Sequence, residues 1–366
     1  MKRKVAIVHD NLLEYGGSER VVEALIKIFP HADLYTFFFN TKNEQLSKQF
    51  DAHRWHGSFI QPFQWLSFLK QYFSVLKPLA WWHFHHLDLR DYDLVISSTH
   101  SYNAKAVKVD KEAVHLSYIH TPPRFLYGYR HELAHLTKLP FLGWFFAYLK
   151  RVDFRAAQRP THLVANSQEV QQRVQKIYRR TAAIVYPPVS VKQVTTKNTA
   201  MKHKQYYVAH SRLVKQKGLD LIVRTCTQYE LPLKVVGTGY LHSLLQQSAG
   251  KTVEFLGFVD DQKLPKLYQS AIALLYAAEE EDFGIVPLEA QMLGVPVIAY
   301  RSGGVLETIK EGKTGYYFKD KTPAALYAAV RKLERQPLQP SACVTFAKGF
   351  RPEVFARRIE EVLKTR

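Results

Sequence analysis

The sequence predicts an α/β protein with two doubly wound domains. Short apolar runs alternate with amphipathic segments from end to end, which is the pattern of repeated βαβ units. A proline-rich polar stretch divides the chain, and 366 residues with 46% hydrophobic content are enough for two cores. We expect domains at 1–187 and 205–351, a linker at 188–204 and a final helix at 352–366.

The apolar runs give six candidate strands in the first half and five in the second. They are Val5–Val8, Asp33–Phe37, Asp93–Ser97, His115–Ile119, His162–Ala165 and Ala183–Tyr186, then Tyr206–Ala209, Leu233–Val236, Val253–Leu256, Ile272–Tyr276 and Pro296–Ala299. Between the two groups, Pro187 and Pro188 precede a polar, basic stretch without periodicity, which is typical of a linker.

The composition limits the class of protein. A formal charge of +19 favours acidic partners such as nucleic acid, anionic lipid or nucleoside diphosphates. No nucleic-acid-binding module is visible, so we expect no nucleic acid partner. Cys226 and Cys343 lack metal-site spacing and fit a reducing cytosol. The N-terminus lacks a signal-peptide core, and the apolar run Leu139–Leu149 is too short to span a bilayer, which predicts a soluble or peripheral protein.

The most informative segment carries two carboxylates eight residues apart. Glu281 lies in a loop just before Gly284, and Glu289 lies inside the helix that Gly284 opens. Apolar runs on both sides give the order strand, loop, helix, strand, which puts the loop at the carboxyl edge of a parallel sheet. Free N–H groups at the helix start suit a phosphate, and the carboxylates can accept hydrogen bonds from sugar hydroxyls. A helix-start acid and an exposed helix glutamate would explain either residue alone, but not both together.

Two cations precede a helix earlier in the same half. Arg212 and Lys217 follow the strand at Tyr206–Ala209 and can converge on an anion, although two solvated surface cations are the ordinary alternative. The glycines of Val235–Gly239 permit close backbone approach at Gly237, but His242 occupies the third position of a dinucleotide fingerprint. Binding of a dinucleotide is therefore not predicted.

In the first half, two strand ends have polar residues that could face a ligand. Gly16 and Gly17 allow a tight turn after the first strand, with Ser18 as the expected N-cap of a helix running to Ile28. His120 ends another strand and is followed by a proline-fixed turn. A histidine hydrogen-bonded to backbone is the alternative there.

An H-E-x-x-H sequence at 131–135 matches the zinc-protease signature. Only three positions are specified, the chain has 16 histidines, and no third ligand follows on a helix. We therefore expect no metal site.

The region 54–90 departs from the α/β pattern because it is rich in aromatic residues. Its apolar residues at 59, 63, 66, 69, 73 and 76 have helical spacing, with lysines interspersed. Such a helix could lie in a membrane interface or be buried in the domain core, and the sequence leaves both open. The candidate acceptor or membrane residues are Trp65, Lys70, Tyr72, Lys77 and Arg124.

The segment from Glu281 to Glu289, in its E-D-F-G-I-V-P-L-E-A setting, resembles the donor-sugar signature of family 4 of the retaining glycosyltransferases, which have the GT-B fold. The first half resembles bacterial mannosyltransferases of polysaccharide and lipid-linked glycan assembly. This resemblance implies two Rossmann-like domains facing a cleft, with the final helix returning to the first domain. It also implies that Ser190 and Arg159–Thr161, where the chain departs from the family pattern, bear on packing only.

The resemblance also implies a role for each candidate residue. Arg212 and Lys217 would neutralise the donor diphosphate without a metal or other cofactor, and Glu289 would bind the ribose. Glu281 and His120 would orient the donor sugar at the reacting carbon. The remaining donor-binding candidates are Gly16, Gly17, Gly237, Val259, Phe283, Gly284 and Ile285.

The expected function is therefore transfer of a hexose from a nucleoside-diphosphate sugar to a lipid-linked or growing glycan, with retention at the anomeric carbon. Mannose is the first candidate for the hexose. We expect a cytoplasmic protein that binds the anionic inner face of the cytoplasmic membrane. Two alternatives remain: a GT-B nucleotide-sugar epimerase, which needs no acceptor, and a catalytically inactive membrane- or glycan-binding module.

Overall fold

The computed structural model describes residues 3–50, 53–63, 76–127, 140–191, 205–260 and 262–365. The chain splits into two compact units, the first comprising Met1–Pro188 with Glu353–Arg366 and the second Val189–Pro352. Each unit is an α/β fold around its own parallel sheet.

Within its described residues, the first unit has a seven-stranded sheet in the order β3-β2-β1-β4-β5-β6-β7, and every pairing is parallel. The strands are β1 (Val5–His9), β2 (Asp33–Thr36), β3 (Trp55–His56), β4 (Leu94–Thr99), β5 (Val114–Ile119), β6 (His162–Ala165) and β7 (Ala183–Ile184). The helices are α1 (Gly17–Ile28), α2 (Glu44–Phe50), α3 (Lys77–His86), α4 (Arg124–Tyr127), α5 (Pro140–Ala157) and α6 (Gln168–Tyr178).

The central strand β1 has an apolar core on each face of the sheet. Ile7 packs in the cluster that contains helix α1, whereas Ala6 and Val8 pack in the cluster that contains helix α3. Successive strand residues point to opposite faces, so a nearly continuous apolar strand is the pattern of a sheet covered on both sides.

Helix α1 begins two residues earlier than the sequence indicates. Gly16, rather than Ser18, is the N-cap, and its own N–H donates to the Glu19 carboxylate at 2.9 Å. The Ser18 hydroxyl also donates to Glu19, so the glutamate satisfies the helix start that we assigned to the serine.

Within its described residues, the second unit has a six-stranded parallel sheet in the order β10-β9-β8-β11-β12-β13. The strands are β8 (Tyr206–His210), β9 (Leu233–Val236), β10 (Val253–Gly257), β11 (Ala271–Tyr276), β12 (Val297–Tyr300) and β13 (Gly315–Phe318). The helices are α7 (Leu219–Gln228), α8 (His242–Gln247), α9 (Leu264–Gln269), α10 (Ile285–Met292), α11 (Val305–Thr308), α12 (Pro323–Arg335) and α13 (Pro340–Ala347). Here too the central strand is buried on both faces, with Tyr207 and Ala209 in one cluster and Val208 in the other.

The final helix, α14 (Pro352–Lys364), belongs mostly to the first unit. Phe355 and Ile359 lie one turn apart and are buried in the cluster around α1. The Phe355 ring lies 6.0 Å from the Tyr118 ring, centroid to centroid. Its apolar stripe is therefore part of the first core.

All eleven candidate strands are present, with boundaries shifted by a few residues, while the edge strands β3 and β13 were not predicted. In the aromatic region, the expected helix is wrong for its described start, because Phe59 and Phe63 lie in turns or irregular backbone. Trp81 and Phe84 of α3 are buried, whereas Trp82 is exposed. The described part of this region therefore contributes to both the core and the surface.

We expect Phe355→Ala to lower the free energy of unfolding of the first unit by about 3–5 kcal/mol, because it leaves a cavity at a fully buried aromatic position. The measurement is urea denaturation followed by tryptophan fluorescence, since all five tryptophans fall in the first unit.

Arg357→Ala, an exposed position on the same helix, is the matched control and should change stability by less than about 0.5 kcal/mol. Equal stability of the Phe355 and Arg357 variants would contradict the placement of α14 in the first core.

Candidate active site

The second unit has a topological switch point at β8. This strand lies between β9 and β11, so the chain leaves β8 and β11 in opposite directions across the sheet. Open α/β sheets bind ligands in the crevice at the carboxyl ends of such strands. Arg212 and Lys217 follow β8, and Glu281 follows β11, so all three lie at this edge.

An ion pair between Lys217 and Glu281 joins two segments at this edge. The lysine Nζ lies 2.6 Å from Glu281 Oε2, and the side chains are 19% and 18% exposed. The Tyr276 hydroxyl donates to the same oxygen at 2.7 Å, and Lys217 Nζ lies 6.0 Å from the Tyr276 ring centroid. Two donors, one from the turn after β8 and one from the end of β11, therefore hold one carboxylate oxygen.

Arg212 and Glu289, the other two predicted charged residues, affect the pKa of Tyr276. Burial raises the pKa of Tyr276 well above its usual value, the Glu281 and Glu289 carboxylates raise it further, and the Arg212 guanidinium lowers it. Glu289 lies on α10 and is only 6% exposed. Three of the charged residues predicted from sequence, Glu281, Glu289 and Arg212, therefore shift the pKa of Tyr276, and the fourth, Lys217, lies near its ring.

Backbone contacts fix the loop that carries Glu281. The Glu279 N–H donates to the Gln216 carbonyl at 3.0 Å, and the Gly304 N–H donates to the Glu281 carbonyl at 2.8 Å. Lys321 forms an ion pair with Glu279. The loop is therefore tied to the Lys217 turn on one side and to the start of α11 on the other.

Two glycines allow this close packing. Gly218 has φ +64°, and a Cβ there would lie 2.3 Å from the Ala277 carbonyl oxygen. A Cβ on Gly304 would lie 2.3 Å from the Asp282 carbonyl oxygen. Side chains at these positions would push the Lys217 and Glu281 segments away from their neighbours.

The rest of the predicted E-D-F-G-I segment forms the start of α10. The Phe283 side chain is buried, with its ring 5.8 Å from that of Phe350. Gly284 is the N-cap at φ +96°, and Ile285 is the first helical residue. The N-cap Gly284 has no side chain to accept from the first N–H groups of α10, and a helix start of this kind can donate to an anion.

Gly237 and Val259 lie at the same edge of the sheet, beyond β9 and β10. The Gly237 N–H donates to the Gly257 carbonyl at 2.8 Å. Val259 is half-buried against the second-unit core. Both positions are set mainly by backbone and packing.

The first-unit candidates also lie at a switch point, because β1 lies between β2 and β4. Gly16 and Gly17 follow β1, and His120 follows β5. The His120 Nε2 lies 2.8 Å from the Ser98 hydroxyl oxygen, and the ring is buried. Burial, together with nearby His100 and His9, holds the pKa of His120 well below its usual value.

Sequence analysis missed the polar residues that surround His120. His9 Nδ1 lies 3.1 Å from the Ser98 hydroxyl, and His9 Nε2 lies 3.2 Å from Glu19 Oε1. Each of these residues sits in an apolar or helical segment, and Ser98 is 89 positions from His9. The available signal was the His9-Asp10 pair at the end of the first strand.

Asp10 organises the neighbouring loop. Its carboxylate accepts backbone hydrogen bonds from His100, Ser101, Tyr102 and Ala104 at 2.7–2.9 Å, and one from the Thr99 hydroxyl. Burial alone would raise the pKa of Asp10, but His100 and the backbone donors outweigh it and lower the pKa to about 2. The carboxylate is therefore charged at neutral pH.

Of the acceptor or membrane candidates, Lys77 Nζ lies 4.4 Å from the Phe125 ring centroid, and Arg124 begins α4 beside that ring. Trp65, Lys70 and Tyr72 lie outside the described residues, as does the H-E-x-x-H sequence at 131–135.

The described residues contain no group of three or more histidine, cysteine, aspartate or glutamate side chains placed to hold a metal ion. In this part of the chain no helix combines the length and apolarity needed to cross a bilayer.

Comparison with known families and proteins gives matches to part of the chain. The family model Glycosyl transferases group 1 matches residues 192–350. A human alpha-1,3/1,6-mannosyltransferase is 34% identical over 125 residues, which are 32% of this chain and 30% of that protein. A GDP-mannose-dependent alpha-(1-6)-phosphatidylinositol monomannoside mannosyltransferase of Mycolicibacterium smegmatis is 33% identical over 37% of this chain and 40% of its own length. The matched segment thus spans well under half of these relatives.

Comparison with solved structures covers nearly the whole chain. The Anabaena protein HepE, crystallised with UDP-glucose, aligns over 99% of both chains with a TM-score of 0.71 at 18% identity. This likeness confirms the expected fold class, the two-domain α/β architecture of GT-B proteins.

We expect Gly304→Ala to loosen the loop that carries Glu281, because its Cβ would collide with the Asp282 carbonyl. Overpacking of this kind costs about 1–3 kcal/mol, which corresponds to roughly 5- to 150-fold faster exchange of the loop amides. The measurement is hydrogen–deuterium exchange of peptides covering 279–284.

Gly349→Ala is the matched control, because a Cβ at Gly349 meets no atom within 4 Å. If the amides of loop 279–284 exchanged as slowly in the Gly304 variant as in the Gly349 control, the proposed role of Gly304 in holding this loop would be wrong.

Proposed function

We propose that this chain, whose residues 192–350 belong to the group 1 glycosyl transferases, is a hexosyltransferase that uses a nucleoside-diphosphate sugar. The observation that carries the proposal is the cluster around Tyr276. Lys217 and Glu281 contact each other there, Tyr276 donates to Glu281, and the charges of Arg212 and Glu289 shift the pKa of the same tyrosine. Cations for a diphosphate and carboxylates for sugar hydroxyls therefore lie at one sheet edge.

In this proposal the diphosphate binds to Arg212, Lys217 and the first N–H groups of α10. Arginine and lysine donate charge-assisted hydrogen bonds to phosphate, and an uncapped helix start adds donors with a favourable dipole. These groups would stabilise the negative charge that develops on the departing nucleoside diphosphate. The proposed reaction therefore needs no metal or other cofactor.

Donor binding would rearrange the ion pair. A diphosphate carries more negative charge than the single carboxylate that now faces Lys217, so the lysine gains by turning toward the donor. Glu281 then keeps the Tyr276 hydrogen bond, and its carboxylate accepts hydrogen bonds from hydroxyls of the hexose. Glu289 accepts hydrogen bonds from the ribose, and His120 contacts the hexose.

GDP-mannose is the proposed donor, because two relatives are mannosyltransferases and one is named for its dependence on GDP-mannose. The UDP-glucose complex of HepE makes UDP-glucose the second donor to test. The proposed acceptor is a lipid-linked or growing glycan, since one relative is named for a phosphatidylinositol mannoside. Transfer with retention at the anomeric carbon completes the proposal.

We expect GDP-mannose, without added metal, to raise the melting temperature of the wild type by roughly 5–10 °C at a hundredfold excess over Kd. Arg212→Ala, Lys217→Ala and Glu281→Ala should each abolish most of this shift, because each removes a charged contact to the donor. Differential scanning fluorimetry with GDP-, UDP- and ADP-sugars measures it.

Lys215→Ala is the matched control, since Lys215 is exposed and lies two residues from Lys217 on the same turn. It should keep the full shift. If no nucleotide sugar stabilises the wild type, the donor proposal is wrong.

Radiolabelled donor separates transfer from the two alternative functions. Label passing to a glycolipid acceptor supports the transferase, and free sugar formed without acceptor indicates an epimerase. Donor binding without any turnover in the presence of membrane extract indicates an inactive module.

We also propose that the first unit docks on an anionic membrane at the cytoplasmic face, which would bring a lipid-linked acceptor close. Helix α5 supports this, because Trp144 and Tyr148 are 75% and 54% exposed and stack at 6.3 Å. Exposed Lys150, Arg151 and Arg155 follow on the same helix. Aromatic and basic residues together are typical of an interfacial helix.

We expect Trp144→Glu combined with Tyr148→Glu to weaken binding to phosphatidylserine-containing vesicles at least about tenfold, because two aromatic side chains lose apolar contact and gain charge. Vesicle co-sedimentation measures this. Tyr240→Glu, an aromatic residue with 71% exposure in the second unit, should leave binding unchanged. Equal binding by wild type and the double variant would overturn the α5 docking site.

A further inference from the structure

Four buried side chains of the first unit form a continuous chain that ends at His120. Glu19 Oε1 lies 3.2 Å from His9 Nε2, His9 Nδ1 lies 3.1 Å from Ser98 Oγ, and Ser98 Oγ lies 2.8 Å from His120 Nε2. The members come from α1, β1, β4 and the residue after β5. They therefore meet only because the sheet brings β1, β4 and β5 side by side.

The hydrogen-bonding capacity of each group fixes where the protons lie. An ionised carboxylate only accepts hydrogen bonds, so His9 Nε2 must donate to Glu19. In neutral His9 the other nitrogen, Nδ1, then accepts the single Ser98 hydroxyl proton. The Ser98 oxygen can in turn only accept from His120, which places the His120 proton on Nε2.

Two pKa shifts describe the groups at the ends of this chain. Burial would raise the pKa of Glu19, but its hydrogen bond and charge interaction with His9 outweigh burial and lower it. Burial, with His100 and His9 nearby, keeps His120 neutral at ordinary pH. The carboxylate at one end is therefore charged and the imidazole at the other end carries one proton.

We propose that Glu19, His9 and Ser98 are positioning residues that fix the tautomer of His120, so that its Nδ1 is presented as a hydrogen-bond acceptor. The hydrogen bond between His120 and Ser98 uses Nε2, so Nδ1 is the ring nitrogen that takes no part in this chain. A lone pair there suits a hydroxyl donor, and on the function proposed above that donor is a hydroxyl of the hexose.

The test is nitrogen NMR of the full-length protein labelled with ¹⁵N-histidine, without donor, with the His120 signals assigned by His120→Gln. At about pH 8 the wild type should show protonated Nε2 and unprotonated Nδ1. Ser98→Ala should abolish this preference. Glu19→Gln, which keeps the shape of the side chain but can donate as well as accept, should weaken it. A wild type with its proton on Nδ1, or a Ser98 variant with an unchanged tautomer, would overturn the proposal.

The neighbouring pair Ser97 and His115 provides the matched control. Ser97 Oγ lies 3.0 Å from His115 Nε2 on the same strand pair, in a separate contact. Ser97→Ala should leave the His120 signals as in wild type, and a change there as large as in Ser98→Ala would indicate a general structural effect and overturn the relay.

A second measurement links the tautomer to turnover. Ser98→Ala should lower kcat/KM about tenfold, the value of one hydrogen bond, and change its pH profile, while Ser97→Ala should do neither. A kcat/KM and pH profile equal to wild type would show that the fixed tautomer is not used in the reaction. The NMR result does not depend on any sugar transfer, so failure of the transferase proposal would leave it standing.

Discussion

Both candidate sites depend on one topological constraint. In each unit the first strand lies inside a parallel sheet, so the chain must build the sheet outward in both directions from it. The loops that follow the two innermost strands then diverge and leave a crevice at their carboxyl ends. In the second unit this crevice holds Lys217 and Glu281, and in the first unit it holds His9 and Ser98.

The parts of this arrangement that follow from local pattern could be predicted from the sequence. Buried parallel strands are apolar runs between amphipathic helices, so eleven strands and the edge position of Glu281 could be found. Edge strands are harder, because β3 has only two residues and β13, Gly315–Phe318, opens with a glycine. Tyr276 was taken as the last apolar residue of its strand, and nothing in that run distinguishes its hydroxyl.

The His120 network could not be predicted, for a different reason. Its contacts join residues that are 10 to 89 positions apart, and each member has an ordinary explanation in its own segment. Glu19 reads as a helix first-turn acid, and Ser98 reads as part of a buried strand. Only the pairing of β1 with β4 places them together.

Two lysine–carboxylate ion pairs of this protein, Lys105–Asp153 and Lys217–Glu281, differ in burial. Lys105 and Asp153 are almost completely buried, 2.5 Å apart, and Asn103 and Tyr127 add one hydrogen bond to each. Breaking such a pair leaves an uncompensated charge in the core, so it holds α5 against the 3-10 turn Ala104–Ala106. Lys217 and Glu281 are partly exposed to solvent, so water or a ligand can replace either partner of this ion pair.

The hydrogen bonds of Asp10 have a consequence for how the first-unit loop acquires its shape. Successive backbone N–H groups that converge on one oxygen are the geometry with which proteins usually grip an external phosphate. Here the anion is the Asp10 carboxylate of the chain itself. Because its pKa is about 2, below the ordinary 3.8, it stabilises the fold fully above about pH 3.8, and this contribution is lost as the pH falls toward 2. The Asp10 carboxylate thus fixes the shape of the loop beside His120 in the folded protein. A molecule that binds there does not have to order this loop, which lowers the entropic cost of binding.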